Sequence, residues 1–191
     1  HSHPKSPLHP PKALVPLEPV LAMQLDGNGR YHKLSAGGSV PAERCWLHLD
    51  YSADSAKEWL NTSPLVPDVI RHALLGESNR PKLVKVNNGL QLTLRGINHN
   101  EGQRPDHMVA IRFYITDQLI ISTRHRRVYA VEQVVRNLRQ GLGPKSTADW
   151  LVDVCENLAE QAGDFIDELM DKIVRLEDDI LEHRIPSRRE L

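Results

Sequence analysis

Residues 82–124 read KLVKVNNGLQLTLRGINHNEGQRPDHMVAIRFYITDQLIISTR. Four runs in this stretch, KLVKV, LQLTLRGI, HMVAIRFYI and QLIISTR, are rich in branched and apolar residues and have the length of strands. Asn87-Asn88-Gly89 separates the first two, and Asn and Gly accept the left-handed backbone that a tight turn needs. Thr116-Asp117 separates the last two. The stretch therefore predicts two successive antiparallel hairpins.

Working outward, LAMQL (21–25) and RYHKL (30–34) flank Asp-Gly-Asn-Gly, a third hairpin, and RCWLHLD (44–50) alternates as a further strand. A short helix over 55–62 follows, with Asp54 as its cap. Pro67 opens another over 67–76, and Gly76 stops it. Downstream, 126–141 is an amphipathic helix ending at Gly141. A long helix runs from Ser146 or Thr147 to His183. Seven strands, mostly in hairpins, and four helices predict an α/β fold. Its sheet is mixed, largely antiparallel and seven-stranded, flanked by helices as an α/β/α sandwich with one long carboxyl-terminal helix. Residues 1–19 read as a disordered or polyproline-like lead-in, with His1 to His3 fitting a tag remnant. Residues 20–145 form the sheet domain, 146–184 the long acidic helix packed on it, and 185–191 the truncated start of a next helix.

Aromatic residues make up 5% of the 191-residue chain, so the core must be mainly aliphatic. Cys45 and Cys155 each sit within an apolar pattern, which suits reduced, buried thiols better than a disulfide framework. No run of about 18 apolar residues occurs, and prolines with Glu18 interrupt the head, so neither a membrane span nor a signal peptide is read here. The formal net charge of −1 conceals an asymmetry. Residues 1–145 carry 19 Lys+Arg against 12 Asp+Glu, and residues 146–191 carry 5 against 13, a split that marks an interaction region.

The apolar row of the long helix is Leu151, Val154, Leu158, Ala162, Phe165, Leu169, Ile173, Leu176 and Ile180. Its mean step of about 3.6 is the period of a straight helix rather than the 3.5 of a left-handed coiled coil. Over some 36 residues the helix would reach roughly 54 Å, beyond an ordinary sheet. A second row is acidic: Glu156, Glu160, Asp164, Asp167, Asp171, Asp178 and Glu182, interrupted by Arg175. Like charges one turn apart repel, so two readings are open, a cation-attracting surface or a solvated face. No Gly-rich phosphate loop, no nucleophile motif and no separated acid/base pair is present, so no enzyme is expected. Nucleic acid is not expected either, because no aromatic residues interleave the basic ones.

The run WLVDVCENLAEQAGDFIDELMDKIVRLEDDILEHRIPSR (150–188) resembles the long helix of the soluble domain of CorA-type divalent-cation transporters, in particular the ZntB-like zinc-transporter branch. CWLHLDYS (45–52) with the following EWL, HALLGESNRPKL (72–83) and RPDHMVAIRFYITDQLIISTRHRRV (104–128) carry the same resemblance, which spans about residues 20–191. It implies a cytoplasmic amino-terminal domain at the inner membrane that assembles as a homopentameric funnel, followed by further helices and two membrane spans that this chain lacks. The long helix would then be the last intact helix of a truncated protein. Gly96-Ile97-Asn98 spells the family's pore tripeptide, but it ends a strand with no apolar span before it, so no pore residue is assigned. The function implied is oligomer assembly, cation attraction and gating, with zinc transported or weakly held rather than structural. A magnesium or cobalt channel, or an adaptor domain docking a basic partner, stands as the alternative.

Zinc needs four converging nitrogen, sulfur or carboxylate ligands, and no diagnostic ligand spacing occurs. The candidate metal residues are therefore those of the helix: Glu156, Glu160, Asp164, Asp171, Asp178, Asp179, Glu182 and His183. Asp179 and His183, at i,i+4 with Glu182 adjacent, read either as half a site completed by another subunit or as a helix end favoured by the dipole. His99 and His107, with Glu101 and Asp106 between them, read as a solvated loop before a zinc site. Arg124, Arg126 and Arg127, at a helix start, could hold a phosphate, or serve capping and surface contacts.

Overall fold

The computed structural model describes residues 13–77, 80, 82–97, 108–162 and 171. Seven strands are present among the described residues: β1 (Leu21–Leu25), β2 (Tyr31–Lys33), β3 (Cys45–Asp50), β4 (Lys82–Val86), β5 (Gly89–Ile97), β6 (Met108–Ile115) and β7 (Leu119–Arg124). The helices are α1 (Asp54–Thr62), α2 (Arg71–Leu74), α3 (Tyr129–Arg139) and α4 (Thr147–Ala162). One sheet holds all seven strands in the order β2-β1-β3-β7-β6-β5-β4. Its pairings are antiparallel except β3 with β7, which run parallel from Cys45↔Leu119 to Asp50↔Arg124. The β4–β7 meander is the pair of hairpins expected from residues 82–124.

Strand alternation divides the core in two. Cys45, Leu47 and Leu49 of β3 point to one face, with Tyr114 and Ile121, under Ala56 and Leu60 of α1, Ile70 and Leu74. Trp46 points to the other, with Leu90, Leu92, Leu94, Ile111, Phe113 and Ile115, under the apolar stripes of α3 and α4. Helices on both faces make the α/β/α sandwich. Trp150 of α4 forms the centre of the second layer. It is fully buried and meets Trp46 and Phe113 edge-on, at centroid distances of 5.3 and 5.2 Å.

Several local expectations shift by a residue or more, each for a visible reason. Ala53, not Asp54, is the amino-terminal cap of α1. The Asp50 carboxylate accepts from the Ser52 backbone N–H and hydroxyl, and its carbonyl from the Ala53 N–H, so the turn is already closed and Asp54 falls in the first helical turn. The helix expected over 67–76 is a 3-10 turn, Asp68–Ile70, followed by α2. Gly76, at φ +85°, ends it, and a Cβ there would lie 2.6 Å from the Tyr51 ring, so the position needs glycine on two counts. Val128 is extended, so α3 starts at Tyr129 rather than at 126. Asn87 takes the left-handed φ of +55° and Gly89 joins β5, paired with Val86. What requires glycine at 89 is space, since a Cβ would lie 2.7 Å from the Ile115 carbonyl oxygen.

Residues 13–17, placed in the lead-in by sequence, pack on the sheet domain. Val15 is buried, Leu14 bridges Ser39, and the Trp59 indole N–H donates to the Leu14 carbonyl at 2.8 Å. The two thiols are free, buried, and on opposite faces of the sheet, which keeps them apart. Burial pushes Cys45 up to about 12, and burial with the nearby Glu156 charge does the same to Cys155. Both should therefore resist Ellman's reagent in the native protein near neutral pH and react only on unfolding, because the thiolate is the nucleophile. Rapid native-state labelling would show that one of them is accessible.

Candidate cation-facing site

The start of α4 is set by its own polar residues. The Ser146 hydroxyl accepts from the Asp149 N–H at 3.1 Å, and the Asp149 carboxylate accepts from the Lys145 N–H at 3.3 Å. This reciprocal arrangement places an acid at the positive end of the helix dipole. From there Ala148, Trp150, Leu151, Val154, Cys155 and Leu158 are buried, in agreement with the expected apolar row as far as the described residues reach. Packing that side on the sheet turns Glu156 outward, where it is exposed. Glu160 follows one turn later within α4, and Asp171 is helical and exposed. Asp164, Asp178, Asp179, Glu182 and His183 lie outside the described residues, as do Phe165, Leu169, Ile173, Leu176 and Ile180.

Among the described residues, no three His, Cys, Asp or Glu side chains converge as a metal site. Among the same described residues there are two His–carboxylate pairs: His72 Nδ1 lies 2.9 Å from Glu77, and His125 Nδ1 lies 3.8 Å from Asp50. Each supplies half of a tetrahedral set at most. The two thiols are buried and held protonated, so they are not available as thiolate ligands. His99, His107 and the loop between them are outside the described residues, as is Asn98; Gly96 and Ile97 are the end of β5, paired with Val109 and Met108.

The arginines at the end of β7 and just beyond it have protein partners. Arg124 donates to Asp50 at 3.2 Å, and Arg127 forks onto Glu132 at 2.6 and 3.0 Å. These contacts fix the corner between β7 and α3. His48 was not singled out in the sequence. It is 2% exposed, with Nδ1 2.7 Å from the Ser122 hydroxyl, which also accepts from Trp46 Nε1 at 2.8 Å. Burial, reinforced by the Arg124 charge, holds its imidazole down to about 3, so it is neutral. The signal was present: His48 is in phase with Trp46 on an alternating strand.

The family described as CorA-like Mg2+ transporter protein matches residues 41–190. The zinc transport protein ZntB of Yersinia pseudotuberculosis is 46% identical over 181 residues, which cover 94% of this chain and 55% of that protein. The chain thus spans about half the length of the curated relatives it matches. Among solved structures, the ZntB cytoplasmic domain from Vibrio parahaemolyticus superposes with a TM-score of 0.67 at 25% identity, over 84% of this chain and 64% of that one. The full-length CmaX protein gives a TM-score of 0.68 at 28% identity, over 84% of this chain and 50% of that one. No helix among the described residues is long and apolar enough to cross a membrane.

Proposed function

The chain belongs to the CorA-like Mg2+ transporter family, and from that premise we propose that it is the cytoplasmic vestibule domain of an inner-membrane divalent-cation transporter with zinc as its cargo. The observation that carries the reading is the 46% identity to a zinc transport protein over nearly the whole chain. The domain assembles as a homo-oligomer, a pentamer in the full-length protein. It gathers cations and communicates with a membrane pore supplied by the rest of the protein. The acidic row Glu156, Glu160, Asp164, Asp171, Asp178 and Glu182, with Asp179 and His183 near its end, faces the cations.

Physics limits what that row does. Carboxylates one turn apart on a straight helix point outward and cannot converge on one ion as four tetrahedral ligands must. They raise the local cation concentration through their field, an effect that salt screens over about 8–10 Å. Calorimetry on a chain lacking residues 1–9 tests this. Zinc binding by the row is expected to be weak, little different from magnesium, and strongly reduced by salt. Converting Glu156 and Glu160 to Gln and Asp164 and Asp171 to Asn should abolish that salt-sensitive component and leave any tight zinc component intact. If a tight component disappears with those four, the row is a true ligand set shared between subunits. The second reading, magnesium as cargo, has the family's description in its favour. Magnesium keeps its waters and prefers oxygen ligands, so transport by the full-length protein that prefers magnesium over zinc would select it.

A further inference from the structure

On the α3 side of the sheet a pocket of about 330 Å3 opens between α3 and the start of β1. Val128 at the corner before α3, Val131 and Val135 of α3 and Leu21 of β1 give it apolar walls, and neutral His48 lies in its lining, its imidazole held by Ser122. Four guanidinium-bearing residues line it: Arg124 and Arg127 from the β7–α3 corner, and Arg136 and Arg139 from the last turn of α3. Glu132 is the one carboxylate in the lining. The Arg124–Asp50 and Arg127–Glu132 contacts place the first two arginines. Arg136 donates to the neutral amide oxygen of Gln133 at 2.9 Å, and neither Arg136 nor Arg139 has an acidic partner among the described residues.

The geometry points to a binding site for a small multivalent oxyanion of the phosphate class, such as pyrophosphate, held by Arg136 and Arg139 at the mouth of this pocket. Guanidinium groups match phosphate oxygens in paired hydrogen bonds. Apolar walls beside an excess of positive charge, four arginines against one carboxylate in the lining, concentrate the field at the opening. The volume lies at the lower end of the range for small-ligand pockets, which suits a compact anion. This site lies on the opposite surface of the protein from α1 and α2 and uses none of the acidic residues proposed to attract cations, so it does not rest on that reading.

The test is calorimetry of the full 191-residue chain with pyrophosphate at constant ionic strength, with sodium chloride as the matched control. One-to-one binding is expected, together with a change in the His48 ring nitrogen resonances. The double variant Arg136→Gln/Arg139→Gln, altering two exposed side chains, should weaken it about tenfold or more. Lys57→Gln, on α1 across the sheet, should leave it unchanged. Vesicles of phosphatidylcholine doped with phosphatidic acid separate the two sources of phosphate. Displacement by soluble pyrophosphate supports a site for the shared group, and vesicle binding that pyrophosphate does not displace overturns the pocket assignment. Binding no tighter than chloride, equal weakening by Lys57→Gln, or an unmoved His48 signal also overturns it. If the arginine double variant instead loses self-association and no pyrophosphate heat is seen, the groove docks a second copy and the anion site is wrong.

Discussion

Trp150→Ala is expected to destabilise the fold by about 3–5 kcal/mol, the range for deleting a large buried aromatic. Trp150 is fully buried where α4 meets the sheet, with Trp46 and Phe113 each edge-on to it. Losing it opens a cavity between layers that cannot close without moving the helix, and it removes two aromatic contacts worth about 0.5–1.5 kcal/mol each beyond area. Trp150→Phe should lose distinctly less. The indole Nε1 is buried with no hydrogen-bond partner among the described residues, so phenylalanine gives up area but no satisfied polar contact. Urea unfolding at unchanged slope measures both. A loss under about 1 kcal/mol for alanine would remove Trp150 from the core.

Acidification supplies the second large effect. In the unfolded chain His48 takes up a proton near pH 6.5, whereas burial and the Arg124 charge delay this in the folded protein to about 3. Between those values the unfolded state binds more protons, so stability is fully present above about pH 6.5 and falls as pH drops toward 3. At about 1.4 kcal/mol per pH unit the whole interval amounts to about 4–5 kcal/mol. Asp26 is also held below its usual range, by hydrogen bonds from the Asn28 and Arg30 N–H groups. For Asp50 burial acts the other way, but hydrogen bonds from Ser52 and the Arg124 and His125 charges outweigh it. Both carboxylates add stability present above their unfolded value of 3.8 and lost below it. His48→Gln should therefore flatten the stability profile from about pH 6.5 to 4 and leave the steeper loss below 4. An unchanged slope in the upper interval would show that His48 is not the group that titrates.

What sequence alone determined was local. Runs of branched and apolar residues between turn signals placed six of the strands and alternation placed the seventh, at 44–50, because the extended backbone sends successive side chains to opposite faces. Asn87, Gly76 and Gly141 marked turns and helix ends because few side chains tolerate left-handed backbone. The 3.6-residue period identified the buried side of α4 at Leu151, Val154 and Leu158, and by subtraction the outward position of Glu156.

Tertiary structure decided what depends on contacts distant in the chain. The parallel pairing of β3 with β7 joins segments some 70 residues apart, and no local pattern encodes such a partner. The same pairing sets His48 beside Ser122 and makes a strand histidine into a buried neutral group. Arg124 and Arg127 read as one run with Arg126, yet the corner at Val128 sends the first two to the pocket that Arg136 and Arg139 reach from α3. A charged side chain's position in the sequence gives its face on an element. Only the packing of elements from separate parts of the chain, here β1, β3, β7 and α3, gives it neighbours across a cavity.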